Sequence, residues 1–129
     1  MRSMASAFVL ALGLGMAAPV HAVTLSSAIL SAGSGVNGGK LICSVSNLDK
    51  KPVTVTMTML GESGQVFEDL DSCSADFNGA LPPGETCSGV VTGGSSARCT
   101  VTASSNKVRA VLVVLDAVFN ATAALPLTK

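Results

Sequence analysis

The chain has 129 residues, with 8 basic and 8 acidic side chains, no Trp, no Tyr and 1 histidine. A net charge near zero and the scarcity of aromatic rings argue against nucleic acid, which is bound by phosphate-neutralising cations and stacking rings. The histidine is His21, so a chain that begins near Val23 contains no histidine for a Ser-His-Asp triad or a His-ligated metal site.

The first 22 residues have the pattern of a secretory signal peptide. Arg2 follows the start, an apolar run occupies residues 5–18, and Pro19 interrupts that run. Residues 20–22 then supply small side chains where a signal peptidase cleaves. The apolar run is shorter than the roughly 20 residues that a membrane span requires. We therefore predict a signal peptide over residues 1–22 and a secreted or periplasmic mature chain.

Residues 23–129 are enough for one small domain and too few for two. The four cysteines of this segment are Cys43, Cys73, Cys87 and Cys99. An even number of cysteines in an oxidising compartment predicts two disulfide bonds. A zinc site built from the same cysteines is disfavoured because the sequence has no C-x-x-C pair.

Short β-like runs alternate with turns along the whole mature segment. The predicted strands cover residues 23–30, 41–48, 53–59, 65–70, 86–92, 98–103 and 108–118. The intervening turns and loops are rich in Gly, Pro, Asn, Asp and Ser, and they cover residues 33–39, 49–52, 61–64, 71–84, 93–96 and 104–106. Residues 119–129 carry no clear pattern.

Two of these strands have the most informative patterns. In residues 53–59, Val and Met alternate strictly with Thr, which predicts a strand with one apolar and one hydroxyl-bearing face. Residues 108–118 are too apolar for a half-exposed strand, so they predict a central strand that is partly covered on both faces.

About seven short strands with a turn every 8–12 residues are typical of an immunoglobulin-like antiparallel β-sandwich. The fold class is therefore all-β, and a small Greek-key barrel is the alternative. The single domain is predicted to span residues 23–129.

The strand faces suggest how the cysteines pair. Cys43 shares a face with Leu41 and Val45, and Cys99 shares a face with Val101 and Ala103. A Cys43–Cys99 bond would then join opposite sheets, and Cys73–Cys87 would hold the acidic loop. The alternative pairs Cys87 with Cys99 across a hairpin and Cys43 with Cys73, because spacing alone does not fix connectivity.

Several segments together resemble small exported bacterial proteins of unknown function. These segments are residues 43–47 (CSVSN), 52–53 (PV), Cys73, 81–87 (LPPGETC), 99–101 (CTV) and 108–110 (VRA). The resemblance covers most of the mature segment. It implies a disulfide-linked β-sandwich in an exported bacterial protein, and it implies no activity.

The acidic segment that begins at the end of the fourth predicted strand, residues 68–71 with Asp76 downstream, offers oxygen ligands for calcium. The candidates are Asp69, Asp71 and Asp76. The segment lacks the regular spacing and terminal Glu of an EF-hand loop, so a solvated loop is the favoured interpretation. We predict no metal, cofactor-binding or catalytic residues beyond these calcium candidates.

Hydroxyl side chains recur at alternate positions of three predicted strands. If the strands align, they form one uncharged face from Ser44, Ser46, Thr54, Thr56, Thr58, Thr100 and Thr102. Such a face could dock a protein partner or extend a sheet at its edge, although it is also the ordinary outer face of a half-buried sheet. Met57 and Met59 share the apolar face of their strand, which favours core packing over copper binding.

The favoured function is an exported binding or structural module that acts through protein surfaces and is not an enzyme. The alternatives are a calcium-binding module and a hydrolase with a Ser-Lys dyad that uses Lys40, Lys50, Lys51 or Lys107. Residues 110–127 are apolar, but Asp116 and Pro126 lie within them and disfavour a membrane tail. The mature chain is therefore expected to have no membrane span, and the sequence leaves its oligomeric state open.

Overall fold

A computed structural model describes residues 21–31, 39–67, 71–92, 96–116 and 120–129. The predicted signal peptide, apart from its last two residues, lies outside these ranges. The strands are β1 (Val23–Ser26), β2 (Leu30–Ser31), β3 (Lys40–Asn47), β4 (Val53–Gly61), β5 (Val66–Phe67), β6 (Ala80–Leu81), β7 (Thr86–Val91), β8 (Ser96–Ala103), β9 (Val108–Leu115) and β10 (Ala121–Pro126). One short helix, α1 (Ser72–Ala75), lies between β5 and β6.

The strands form two antiparallel sheets in a sandwich-like arrangement. The front sheet has the order β1-β8-β4-β5, with β2 paired to β8 and β6 paired to β4. The back sheet has the order β10-β9-β3-β7. The all-β sandwich predicted from the sequence is thus confirmed, and the sheets do not close into a barrel.

The number of strands exceeds the prediction of about seven because short or featureless segments also pair. β2 and β6 contribute two residues each, and β10 lies in the segment that had no clear pattern. Residues 71–84, predicted as loop and turn, contain α1 and β6. The central position predicted for residues 108–118 is correct for β9, which lies between β10 and β3.

Alternation along the strands builds the core between the sheets. β3 buries every second residue, including Leu41 and Val45, which are fully buried. β8 does the same with Val101, and β9 with Leu112. These side chains meet in one hydrophobic cluster, because the inner faces of two stacked sheets lie close enough for their side chains to interdigitate.

Two disulfide bonds cross this architecture. Cys43 of β3 bonds to Cys99 of β8 and joins the back sheet to the front sheet. Cys73 of α1 bonds to Cys87 of β7 and attaches the helix to the back sheet. This is the pairing that the strand faces favoured, and all four cysteines are buried.

Two of the predicted turns are closed by backbone hydrogen bonds, whereas most of each predicted turn at residues 33–39 and 93–96 lies outside the described ranges. In the Pro-Pro-Gly segment, the Glu85 N–H donates to the Pro82 carbonyl at 3.2 Å, and Gly84 has φ of 77°. A positive φ at the third position, preceded by proline, is the signature of a type II turn. The predicted hairpin at residues 61–64 is closed by the Gly61 N–H, which donates to the Gln65 carbonyl.

Candidate interaction face

The outer side of the front sheet carries a continuous set of hydroxyl groups. Because the inward-facing residues of β1, β4 and β8 fill the core, their alternate residues point to solvent. We call this surface the hydroxyl face, and it consists of Thr24, Ser26, Thr54, Thr56, Thr58, Thr100 and Thr102.

The strand register arranges most of these groups in rows. The two rows are Thr24–Thr102–Thr56 and Ser26–Thr100–Thr58. Neighbouring strands lie about 4.8 Å apart, and alternate residues of one strand about 6.7 Å apart, so the rows form a regular grid. The hydroxyl oxygens of Thr24 and Thr102 are 3.4 Å apart, as are those of Ser26 and Thr100.

The hydroxyl face has almost no charge. Within β1, β4, β5 and β8, the one charged residue is Arg98, which points outward next to the Ser26–Thr100–Thr58 row. Arg98 is paired with Leu60, which in turn is paired with Val66, and Val66 is 58% exposed. One end of the face is therefore apolar with a single cation, and the rest is neutral and polar.

The hydroxyls of this face can form hydrogen bonds with a second polar surface. Each hydroxyl can both donate and accept a hydrogen bond, so the grid can meet either kind of polar group. Burying neutral hydroxyls costs less than burying charges, provided that they find partners.

The sequence prediction placed Ser44 and Ser46 on this same face, and that part is wrong. Both residues belong to β3, so they lie on the outer side of the back sheet, where Ser46 pairs with Thr86 at 2.7 Å. Thr24 and Ser26 take their place. Alternation identifies the outward residues of each strand, but it does not indicate which strands share a sheet.

The residues proposed for calcium do not form a site among the described residues. Asp69 lies outside the described ranges. The Asp71 carboxylate accepts hydrogen bonds from the Cys73 N–H at 2.7 Å and the Ser74 hydroxyl at 2.9 Å, so it caps the N-terminus of α1. Asp76 lies at the opposite end of the helix. Within the described ranges, no group of three or more His, Cys, Asp or Glu side chains could hold a metal ion.

The two methionines of β4 pack inside the sandwich, as the alternation predicted. Met59 is 5% exposed and lies in the core, and Met57 packs against it from the side. The Met57 sulfur lies 2.9 Å from the position that a β-carbon on Gly89 would occupy. Because Gly89 has no β-carbon, it leaves space for the Met57 side chain.

Lys107, one of the lysines considered for a dyad, lies with Ser105 beside the carboxylate of Asp49. The Ser105 hydroxyl donates to Asp49 at 2.7 Å, and the Lys107 Nζ lies 3.9 Å from the same carboxylate. The Ser105 hydrogen bond, together with one from the Lys50 N–H, holds the pKa of Asp49 below its ordinary value. This cluster ties the β8–β9 turn to the β3–β4 turn.

Two open depressions lie on the surface of the described residues. A groove of about 490 Å³ lies at one end of the sandwich, with an apolar floor that includes Leu25, Val108 and Leu127. A smaller depression of about 310 Å³ lies beside the β4–β5 hairpin and includes Phe67. Neither contains a residue that the sequence analysis proposed for metal binding or catalysis.

No helix within the described residues has the length and apolar character needed to cross a membrane. Comparison of the chain with protein-family models, with curated proteins and with solved structures found no match.

Proposed function

We propose that this chain is an exported binding or structural module, without catalytic activity, that contacts a protein partner through the hydroxyl face. The proposal rests on one observation: two aligned rows of neutral hydroxyls lie on the outer side of the front sheet, next to a single cation at Arg98. A stable protein contact buries about 800 Å² on each side. A face spanning several strands of a sheet can provide much of that area without burying an unpaired charge.

Export to the periplasm or the medium belongs to the same proposal. The two disulfide bonds are compatible with an oxidising compartment, where such bonds form and persist. The inter-sheet position of Cys43–Cys99 also supports kinship with immunoglobulin-like domains, in which a disulfide joins the two sheets. Amino-terminal sequencing of the native protein should give Val23 as the first residue, and an intact residue 1–22 segment would contradict export with cleavage.

Site-specific crosslinking tests the proposed contact surface. A photoreactive residue at position 102 in the full-length protein should capture one dominant protein in the cells that produce it, which mass spectrometry then identifies. Thr86 is the matched control, because it is an exposed threonine on the outer side of the other sheet.

Substitution then distinguishes a specific contact from incidental capture. Thr102→Lys introduces a charge into the middle of a row and should reduce recovery of the partner at least about tenfold, since a like or unpaired charge at a contact is costly. Thr86→Lys should leave recovery unchanged. Equal recovery with both variants would show that the partner binds elsewhere, and capture of no partner from position 102 would contradict the proposal.

A further inference from the structure

β10 forms an edge of the back sheet, and its central residues carry no charge or proline that would block pairing. Among the described strands it pairs only with β9, and all of its residues except Leu125 are exposed. Its sequence, ATAALP, contains no charged residue. Natural edge strands are commonly blunted by charges, by prolines, by bulges or by a covering segment. β10 ends in Pro126 and has a register shift between Ala121 and Ala123, so the part that remains open to pairing is residues 123–125.

The other edge of the same sheet is covered. At β7, the Ser72 hydroxyl of α1 accepts a hydrogen bond from the Ser88 N–H at 2.8 Å and donates to the Ser88 carbonyl at 3.1 Å. The Ser72 side chain thus hydrogen-bonds both backbone groups of Ser88 that point away from the sheet. The contrast indicates that β10 is the edge through which this sheet can grow.

The ladder between β9 and β10 fixes which backbone groups point outward. The Leu127 N–H donates to the Ala110 carbonyl at 3.0 Å, so alternate residues Leu125 and Ala123 also direct their backbone groups toward β9. Ala124 therefore directs its N–H and its carbonyl away from the sheet, and Pro126, which has no N–H, directs only its carbonyl away. Beyond β10 the chain pairs with the front sheet, because the backbone of Thr128 exchanges hydrogen bonds with Ser26 at 2.8 and 3.1 Å.

A row of apolar side chains on the outer side of the back sheet ends at Ala124. The strand register aligns Val90, Ile42, Val113 and Ala124 across β7, β3, β9 and β10. The first three are half-buried and Ala124 is exposed. The row and the free backbone groups therefore meet at Ala124.

We propose that β10 pairs antiparallel with β10 of a second copy of this chain, about a two-fold axis at Ala124. The Ala124 N–H of each copy would donate to the Ala124 carbonyl of the other, because an isologous contact places this residue opposite itself. The two back sheets then become one sheet of eight strands, and the apolar row continues into the second copy. A second copy fits this edge because the strand and its row carry no charge to repel themselves.

Sedimentation velocity of the mature, disulfide-bonded protein over a concentration series tests the pairing. A contact between two short strands is smaller than the about 1,200–2,000 Å² of a stable interface, so we expect reversible dimerisation with a dissociation constant above about 10 μM. A chain that stays monomeric up to about 1 mM would overturn the proposal.

Two variants at position 124 test the register. Ala124→Lys places a charge opposite itself and should weaken dimerisation at least about tenfold. Ala124→Pro removes the outward N–H, which the monomer does not use, and should abolish dimerisation in a folded chain. Thr86→Lys on the covered edge is the matched control and should dimerise like the wild type. Wild-type dimerisation by both position-124 variants would refute β10 pairing.

Hydrogen exchange provides a readout that needs no variant. In the wild type, the Ala124 amide should become protected as concentration rises, and protection that does not change with concentration would contradict the pairing. The proposal is independent of the hydroxyl face, and Thr102→Lys should therefore leave dimerisation unchanged.

Discussion

Asn47 is the one fully buried polar side chain among the described residues, and all of its polar groups are satisfied. Its Nδ2 donates to the Lys51 carbonyl at 2.8 Å and the Leu81 carbonyl at 2.9 Å, and its Oδ1 accepts from the Asp49 N–H at 2.8 Å. One side chain thus connects the end of β3 to the turn that follows it and to β6. Low local dielectric makes such a network costly to break.

We expect Asn47→Ala to lower the free energy of unfolding by about 2–4 kcal/mol, since it leaves buried carbonyls and an N–H without partners. Urea denaturation with the disulfides intact measures the change. Asn106→Ala, at an exposed turn position, is the control and should change stability by less than about 0.5 kcal/mol. Similar losses from both variants would show that the network contributes little.

Asp49 predicts a pH dependence of stability in the acid range. Its pKa is lowered in the folded protein by the Ser105 hydroxyl and the Lys50 N–H, so the folded state favours the charged carboxylate. The resulting stabilisation is fully present above the unfolded pKa of about 3.9 and is lost as pH falls through the lower folded pKa.

The stability difference between the wild type and Asp49→Asn should therefore be constant near neutral pH and should shrink below about pH 4. Urea denaturation at a series of pH values measures it. Ser105→Ala should reduce the same pH-dependent difference, because its hydroxyl is the main cause of the shift. A difference that stays constant down to the acid limit would show that the Asp49 pKa is not lowered.

At the scale of elements, the covering of the β7 edge by α1 is the feature with the clearest consequence. Ser72 satisfies both outward backbone groups of Ser88 with one hydroxyl. We expect Ser72→Ala to cost about 1–2 kcal/mol, because a donor and an acceptor of the edge lose their partner. Exchange of the Ser88 amide should also become faster in that variant.

Ser74→Ala is the matched control for the edge, because Ser74 is an exposed residue of the same helix and its hydroxyl donates to the Asp71 side chain, not to the backbone of β7. In the Ser74→Ala variant, the Ser88 amide should exchange hydrogen at the wild-type rate. If the Ser88 amide is equally protected in Ser72→Ala, then the disulfide at Cys73, rather than the hydroxyl, maintains the covering.

The elements also show what periodicity could and could not predict. β3, β4 and β8 were predictable because half of each strand is buried, which produces apolar residues at every second position. β10 was not, because nearly all of its residues are exposed and alternation then has no physical cause. α1 was missed because four residues are too few for a helical period.

The candidate face was predictable only in part for a related reason. Thr56 and Thr102 were correctly assigned to outward positions, but their meeting in one row depends on β8 lying next to β4. Pairing across the sequence is a long-range property that local alternation does not encode.

At the scale of the whole molecule, the two disulfide bonds close loops of very different length. Cys43 and Cys99 are 56 residues apart, and Cys73 and Cys87 are 14 residues apart. Non-reducing peptide mapping should recover these two pairs. Recovery of a Cys87–Cys99 peptide would contradict the assignment of one bond to the space between the sheets.

The two bonds should also stabilise the chain to different degrees. A cross-link restricts the unfolded chain more when its loop is longer, so removal should cost about 4 kcal/mol for Cys43–Cys99 and about 3 kcal/mol for Cys73–Cys87. Paired Cys→Ala variants, unfolded in urea under identical conditions, measure both values. A larger loss on removing Cys73–Cys87 would contradict the chain-entropy account. It would mean that holding α1 against the β7 edge contributes more to the stability of the sandwich than joining its two sheets does.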